Sequence, residues 1–381
     1  MLQLTLSQQI NHKPFAFKST GIKVYSFEEA LYHVYHYWRE SVDDFLSDGL
    51  IAWVAQLGHS YLAARMKELI PVEPFATRIL GFLQLSPYFS DEEIQGIKES
   101  LESWEMRREW EKLKERADYF VSRGEPMKGI PLYKRALQYD ENSLILNNLG
   151  VAYMQTGSMK EAYRSLAGAL TNSPDSFEIL LHFTEAAVLS GNHSVAKKAL
   201  EKAANECPDH PDISFLHGLL AYEEKDYPEA LANFNRASVM DPAVPYYVYK
   251  AVDAHLAMRQ FDKALSSLEE GVEEKDGEYY SKEAEIHAAA GDNAGAIKAI
   301  KRALHLSPIA PYYAKLASYY RLDYNPRLAE SAIERALEHD PESDTARMEN
   351  ARNKKGLGRT REYQAALAEI LKSFKERYRG V

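Results

Sequence analysis

The chain has 381 residues, a formal charge of −10, 45% hydrophobic content and one cysteine. An acidic balance of this kind argues against nucleic acid or an anionic membrane as the main partner. The single Cys207 excludes an internal disulfide framework and fits a reducing compartment, so a cytoplasmic protein is expected. The opening residues have no basic stretch followed by an apolar core, which argues against a secretory signal, and no run approaches the ~18 apolar residues of a membrane span.

Residues 1–25 alternate weakly (Leu2, Leu4, Leu6, then Phe15, Phe17, then Ile22, Val24), which predicts an extended arm or a small hairpin. Ser26 and Glu29 form a capping box that opens an aromatic helix to about Glu40. Further helices are expected near 48–57, 59–69 and 74–85, punctuated by Pro71, Pro74 and Pro87. A second capping box, Ser90 with Glu93, opens the helix that leads onward. His33 and His36 share a helix face with Glu29 one turn earlier, the spacing of a metal pair. Tyr32, Tyr35, Tyr37 and Trp38 surround them, so packing is the more economical reading, and neither a metal nor any cofactor is expected. Residues 1–100 hold eight Lys/Arg and twelve Asp/Glu, the wrong sign for a phosphate-binding surface.

From Ser143 to Ser176 the sequence reads as two short antiparallel helices. Leu146, Leu149, Gly150 and Tyr153 lie on the first, and Ala162, Leu166 and Ala169 on the second. Gly157 makes the turn between them and Pro174 closes the unit. Small residues at Gly150, Ala162 and Ala169 let two backbones approach closely. The same grammar recurs. Ala162, Ala196, Ala230 and Ala264 are spaced by 34 residues each, while Gly129 to Ala162 and Ala296 to Ala329 are 33 apart and Ala264 to Ala296 is 32. Pro208, Pro242, Pro308 and Pro341 close further units, and Gly277 replaces the proline of the fifth. Residues 344–381 start like an eighth unit and end in a longer, charged helix with ten Lys/Arg against five Asp/Glu.

This pattern resembles the tetratricopeptide repeat, at nearly every signature position of the Ser143–Ser176 unit. The resemblance implies an all-α fold, a right-handed superhelix (α-α solenoid) of antiparallel helix pairs. The expected division is an N-terminal helical domain over 1–108, seven repeats over 109–343, and a divergent eighth unit with a C-terminal capping helix over 344–381. The segments SFEEALYHVYHYW, DGLIAWVAQLG and LAARMKEL also resemble the N-terminal helical region of bacterial repeat proteins, of the kind found in anaerobic Firmicutes, and that likeness implies no biochemical role.

In similar repeats ligand contacts come from fixed positions on each first helix, the concave face. Mapped here, they give Asn147, Asn148, Met154, Gln155, Leu181, His182, Glu185, Phe215, Leu219, Tyr222, Tyr246, Tyr249, Lys250, Asp253, Tyr312, Lys315 and Tyr319. Rings and amides at these places suit a peptide or helix of another protein. Chaperone-type repeats clamp a terminal carboxylate with lysine, asparagine and arginine. Here Lys114 and Asn148 match two such positions, but Asp118, Glu178 and His182 occupy the others and would repel or fail to hold an anion. The basic end of the chain would suit an acidic partner. His217, His255 and His287 are expected to be semi-buried packing residues. No nucleophile–base set, phosphate loop or HExxH is present, so no catalysis is expected. The expectation is a non-catalytic protein-binding scaffold. The alternative is a peptide-responsive regulator whose N-terminal domain engages an effector, since the overall plan resembles peptide-pheromone sensors of Firmicutes.

Overall fold

In a computed structural model the described residues are 13–340 and 343–378, with side chains described as far as Lys372. Leu2, Leu4, Leu6 and the closing Pro341 lie outside them. The chain divides into two compact units, Met1–Ile179 and Leu180–Val381.

In the first unit, strands β1 (Phe15–Ala16) and β2 (Lys23–Val24) pair antiparallel with Phe15 opposite Val24, the hairpin form of the expected arm. Helix α1 (Phe27–His36) starts at Ser26, whose hydroxyl accepts the Glu29 N–H at 3.2 Å. The reciprocal bond differs from the expected box: the Glu29 carboxylate accepts from Tyr25 N–H at 2.6 Å, one residue before the cap. The helix also stops four residues short of Glu40, and a 3₁₀ turn over Glu40–Asp43 redirects the chain. Helices α2 (Asp48–Gln56), α3 (Ser60–Leu69), α4 (Phe75–Leu83) and α5 (Asp91–Glu105) follow. The Ser90–Glu93 box that opens α5 has both arms, at 2.8 and 3.3 Å.

These elements close around one aromatic core that includes Phe17, Phe27, Phe45, Phe82 and Trp104. Edge-on ring pairs join Phe27 to Phe82 at 6.0 Å, Phe45 to Phe82 at 5.7 Å and Trp38 to Trp104 at 5.3 Å, a geometry that adds to simple burial. His33 belongs to this core. Its ring stacks on Phe17 at 3.9 Å, its Nε2 meets Ser41 Oγ at 3.2 Å, and burial lowers its pKa to about 4. His36 instead lies against Tyr32 and Tyr35, and Glu29 serves the helix cap, so the three residues of the metal-like spacing have separate structural duties.

The repeats begin with α6 (Glu109–Ser122) and α7 (Pro126–Leu137), then α8 (Ser143–Gln155) and α9 (Met159–Asn172). Their core is a separate cluster running from Leu113 to Ala152. Ion pairs tie it to the N-terminal helices: Arg39 Nε to Glu115 at 2.9 Å and Arg116 Nη2 to Asp43 at 2.5 Å. Lys128 Nζ also donates to the carbonyl of Ser19 at 3.0 Å. Inside the second pair, a Cβ on Gly150 would lie 2.4 Å from Leu166 Cγ, so only glycine permits this approach.

Helix α10 (Phe177–Leu189) leads into the second unit, where its partner is α11 (His193–Glu206). Then come α12 (Pro211–Glu223) with α13 (Tyr227–Met240), α14 (Pro245–Ala257) with α15 (Phe261–Gly271), and α16 (Gly277–Ala289) with α17 (Asn293–Leu306). The last are α18 (Ala310–Leu322) with α19 (Pro326–His339) and α20 (Asp344–Gly356) with α21 (Thr360–Tyr378). The register alanines Ala196, Ala230, Ala264, Ala296 and Ala329 are all buried at the helix–helix seams. Gly277 has a packing role: a Cβ there would sit 3.0 Å from the ring of Tyr312. The shortened step is accommodated by α15, which has 11 residues where α13 and α17 have 14.

Most turns within pairs use a glycine in the left-handed region, among them Gly157, Gly191 and Gly291. Tyr324 occupies the same place in the α18–α19 turn at φ 59°, and 92% of its surface is exposed. A tyrosine pays a steric cost there and recovers nothing by burial. Tyr324→Gly is therefore expected to stabilise this pair by about 1 kcal/mol, seen as slower amide exchange in α18 and α19. Among the described residues no helix is long and apolar enough to cross a membrane.

Candidate binding surface

In the first unit the residues matching a carboxylate clamp are already engaged. Asp118 accepts from Lys114 Nζ at 2.7 Å, from Asn148 Nδ2 at 2.9 Å and from the Tyr133 hydroxyl at 2.5 Å. Burial and the Asp118 bond hold the Tyr133 phenol far above its ordinary pKa, so the hydroxyl remains a donor. Asn147 is buried beside Asn148, and Gln155 is exposed.

In the second unit the first helices carry a ladder of alternating charge. Lys250 Nζ on α14 lies 3.4 Å from Asp253, one turn along the same helix. Lys282 on α16 reaches back to Asp253 at 3.0 Å and along its own helix to Glu285 at 2.8 Å. Lys315 on α18 reaches Glu285 and Ser281 Oγ of α16, each at 2.6 Å. Burial acts to lower the Lys282 pKa, yet Asp253 and Glu285 outweigh it and leave the ammonium above its ordinary value. Burial likewise acts to raise Glu285, and Lys282 with Lys315 brings it below the ordinary carboxylate range.

Six of the expected contact residues belong largely to the interior: Asn147, Leu181, Phe215, Leu219, Tyr249 and Tyr319 are each less than a tenth exposed. The reason is that a first helix packs on the first helices beside it as well as on its own partner. Phe215 shows this, with Phe234 at 5.7 Å, Tyr246 at 5.3 Å and Tyr247 at 5.2 Å around it. Tyr222, Tyr312, His182, Lys250, Asp253 and Lys315 remain partly open to solvent, and Tyr246 is 42% exposed. The expected placement of His217 is corrected: it is exposed, while its neighbours Leu216 and Gly218 take the buried places on α12. His255 is buried and meets Gln260 at 3.0 Å, and the half-buried His287 pairs with Asp292 at 3.0 Å.

Glu185 on α10 is the exception to this pairing. It is half-buried, and among the described residues no hydrogen bond or ion pair reaches its carboxylate. Burial, helped by the like charge of Asp212 and opposed by Lys250, raises its pKa to about 7. The mapped positions omitted Lys282, Glu285 and Ser281. Their signal is in the chain all the same: Lys250, Lys282 and Lys315 follow the repeat period, each starting a K-x-x motif that ends in Asp253, Glu285 and Ser318.

A family model for the tetratricopeptide repeat matches residues 114–177, 185–245 and 249–314, about half of the chain. With its helix pairs and buried register alanines, the chain belongs to the tetratricopeptide repeat family. The TPR repeat-containing protein MJ1428 of Methanocaldococcus jannaschii is 28% identical over 236 residues, 56% of this chain and 37% of that protein. The BBSome complex member BBS4 of Bos taurus is 26% identical over 195 residues, 50% of this chain and 38% of that protein. The match thus spans little more than a third of either relative. A crystal structure of a tetratricopeptide repeat protein from Parabacteroides merdae shares 20% identity over 63% of this chain and 97% of its own, with a TM-score of 0.44.

Proposed function

We propose that the chain is a non-catalytic protein-interaction scaffold. It holds a peptide or helix of a partner protein on the first-helix face of its repeats. In this reading residues 1–108 form a helical domain beside seven repeats, and residues 344–381 act as the cap. One observation carries it: Tyr222, Tyr246 and Tyr312 keep solvent-accessible ring surface along a line of ordered polar groups on α12, α14, α16 and α18. Rigid rings beside satisfied charges offer contact area without the entropy cost of ordering long side chains. Membership of the family supports the same reading.

Buried Tyr249 is unsuitable for a test, because its loss would damage packing. The triple replacement Tyr222→Ala, Tyr246→Ala and Tyr312→Ala is expected to abolish partner capture from a native cell extract while leaving the helical circular dichroism unchanged. Undiminished capture by a folded triple variant would sink the reading.

A further inference from the structure

Where the N-terminal helices meet the first repeat, a cavity of about 230 Å³ lies between α4, α5, α6 and the 3₁₀ turn. Its apolar walls are Val42, Phe75 and Leu113, together with the ring of Trp104. That ring is fixed by Phe75 at 5.3 Å and by Trp38, edge-on, at 5.3 Å. The polar walls are one-sided. Trp104 Nε1–H and Arg116 Nε–H are buried in side chains less than a tenth exposed, and neither finds an acceptor among the described residues. Lys112, one turn before Arg116 on α6, holds its Nζ 5.0 Å over the Trp104 ring. The Glu109 carboxylate stands 3.9 Å from that ammonium, outside hydrogen-bond reach, and is half open to solvent. The remaining charges of these walls are settled. Arg78 is bonded to Glu73 and to the Val72 carbonyl at 2.9 Å, and Arg116 Nη2 holds Asp43 at 2.5 Å. Three donor groups around one cavity thus lack an acceptor, and buried donors left so weaken a fold.

We propose that this cavity binds a small organic carboxylate with an apolar body. Its oxygens accept from Lys112, Trp104 and Arg116, and its carbon skeleton lies against Val42, Phe75 and Leu113. The ligand brings acceptors because the three groups without a hydrogen bond are all donors. It brings charge because two of the three are cations, and charge-assisted bonds are about twice as strong as neutral ones. The space is smaller than the roughly 300–1,000 Å³ of drug-sized sites, so the ligand is small. Lys112 is the wall that can give way: its flexible stem is held by no hydrogen bond among the described residues, and its ammonium covers the indole. All of these residues belong to the first unit, so the inference goes beyond the scaffold reading and does not rest on it.

The probes are phenylacetate and isovalerate, their neutral amides, and inorganic phosphate, each titrated into the intact chain. Calorimetry gives the affinity, and the nitrogen–proton NMR signals of the tryptophan indoles give the place. The acids are expected to bind once, with a Kd of about 0.1–1 mM, and to move the Trp104 indole signal. The Trp53 indole, already bonded to the Lys13 carbonyl at 2.9 Å, should keep its signal. The amides and phosphate should each bind at least about tenfold more weakly, the amides for want of charge and phosphate for want of an apolar body. Lys112→Met keeps the apolar stem and should weaken the acids about tenfold. Arg116→Lys keeps the charge but loses the Nε–H, and should weaken them about threefold or more. No saturable binding of either acid up to about 10 mM would overturn the proposal. So would an amide or phosphate that binds as tightly as the acids, a Trp104 signal that stays in place, or unchanged affinity in a folded Lys112→Met chain.

Discussion

Glu185→Gln is expected to stabilise the second unit at pH 8 by up to about 3 kcal/mol and to leave it unchanged at about pH 3. The sign follows from a carboxyl whose folded pKa of about 7 stands above its ordinary 4.5. Near pH 3 and below, both folded and unfolded chains hold the proton and the group is nearly neutral in its effect. As the pH rises through that interval the unfolded chain gives up its proton more readily, and the folded state loses stability. Above pH 7 the full penalty is in place, and glutamine removes it. Partial contact with solvent makes the figure an upper bound. Denaturant titrations of both proteins at the two pH values, followed by amide exchange in α10 and α14, measure the difference. Equal stability of the two at pH 8 would show that Glu185 is solvated in the folded chain.

The second large effect is expected in the first unit. Gly150→Val should destabilise the α8–α9 pair by about 3 kcal/mol, because a Cβ would meet the buried Leu166 at 2.4 Å. Leu166 is fully buried and three of its carbons lie within 3.0 Å of that Cβ, so the two helices must separate or tilt. Faster amide exchange confined to α8, α9 and their immediate neighbours is the measurement, since repeat arrays lose order locally before they unfold as a whole. Exchange no faster than in the parent chain would mean that the pair tolerates the added bulk.

Gly150 also shows why so much of the fold was legible. Close helix approach demands a small residue, glycine or alanine, at one place in each pair, and the chain repeats that demand at nearly equal steps. The alanines at 162, 196, 230 and 264 can be lined up by counting alone, and all four are buried. The site was legible only in part. A mapped position says which side of a helix a residue lies on, but not how much of it the next helix covers. Phe215 and Tyr249 were therefore indistinguishable from Tyr246 on sequence, although three rings surround Phe215 and Tyr246 keeps an open edge. Lysines 250, 282 and 315 carried a readable period, yet their pairing joins residues about thirty positions apart, and a single helix pattern does not reveal it. The N-terminal helices were legible through their caps. Their attachment to α6 through Arg39 and Arg116 was not, because neither arginine has a partner nearby in sequence.

The ladder also distributes stiffness unevenly along the array. From α14 onward, neighbouring first helices are strapped together by ions: Asp253 to Lys282, Glu285 to Lys315, and Glu349 to Arg321 at 3.2 Å. Between α12 and α14 the strap is an uncharged phenol bonded to Asp212. Dissolved ions loosen the first kind of fastening more than the second. Changing ionic strength should therefore soften the span from α14 to α20 while leaving the α12–α14 joint nearly as it was, giving the second unit a rigidity that its surroundings can adjust over part of its length.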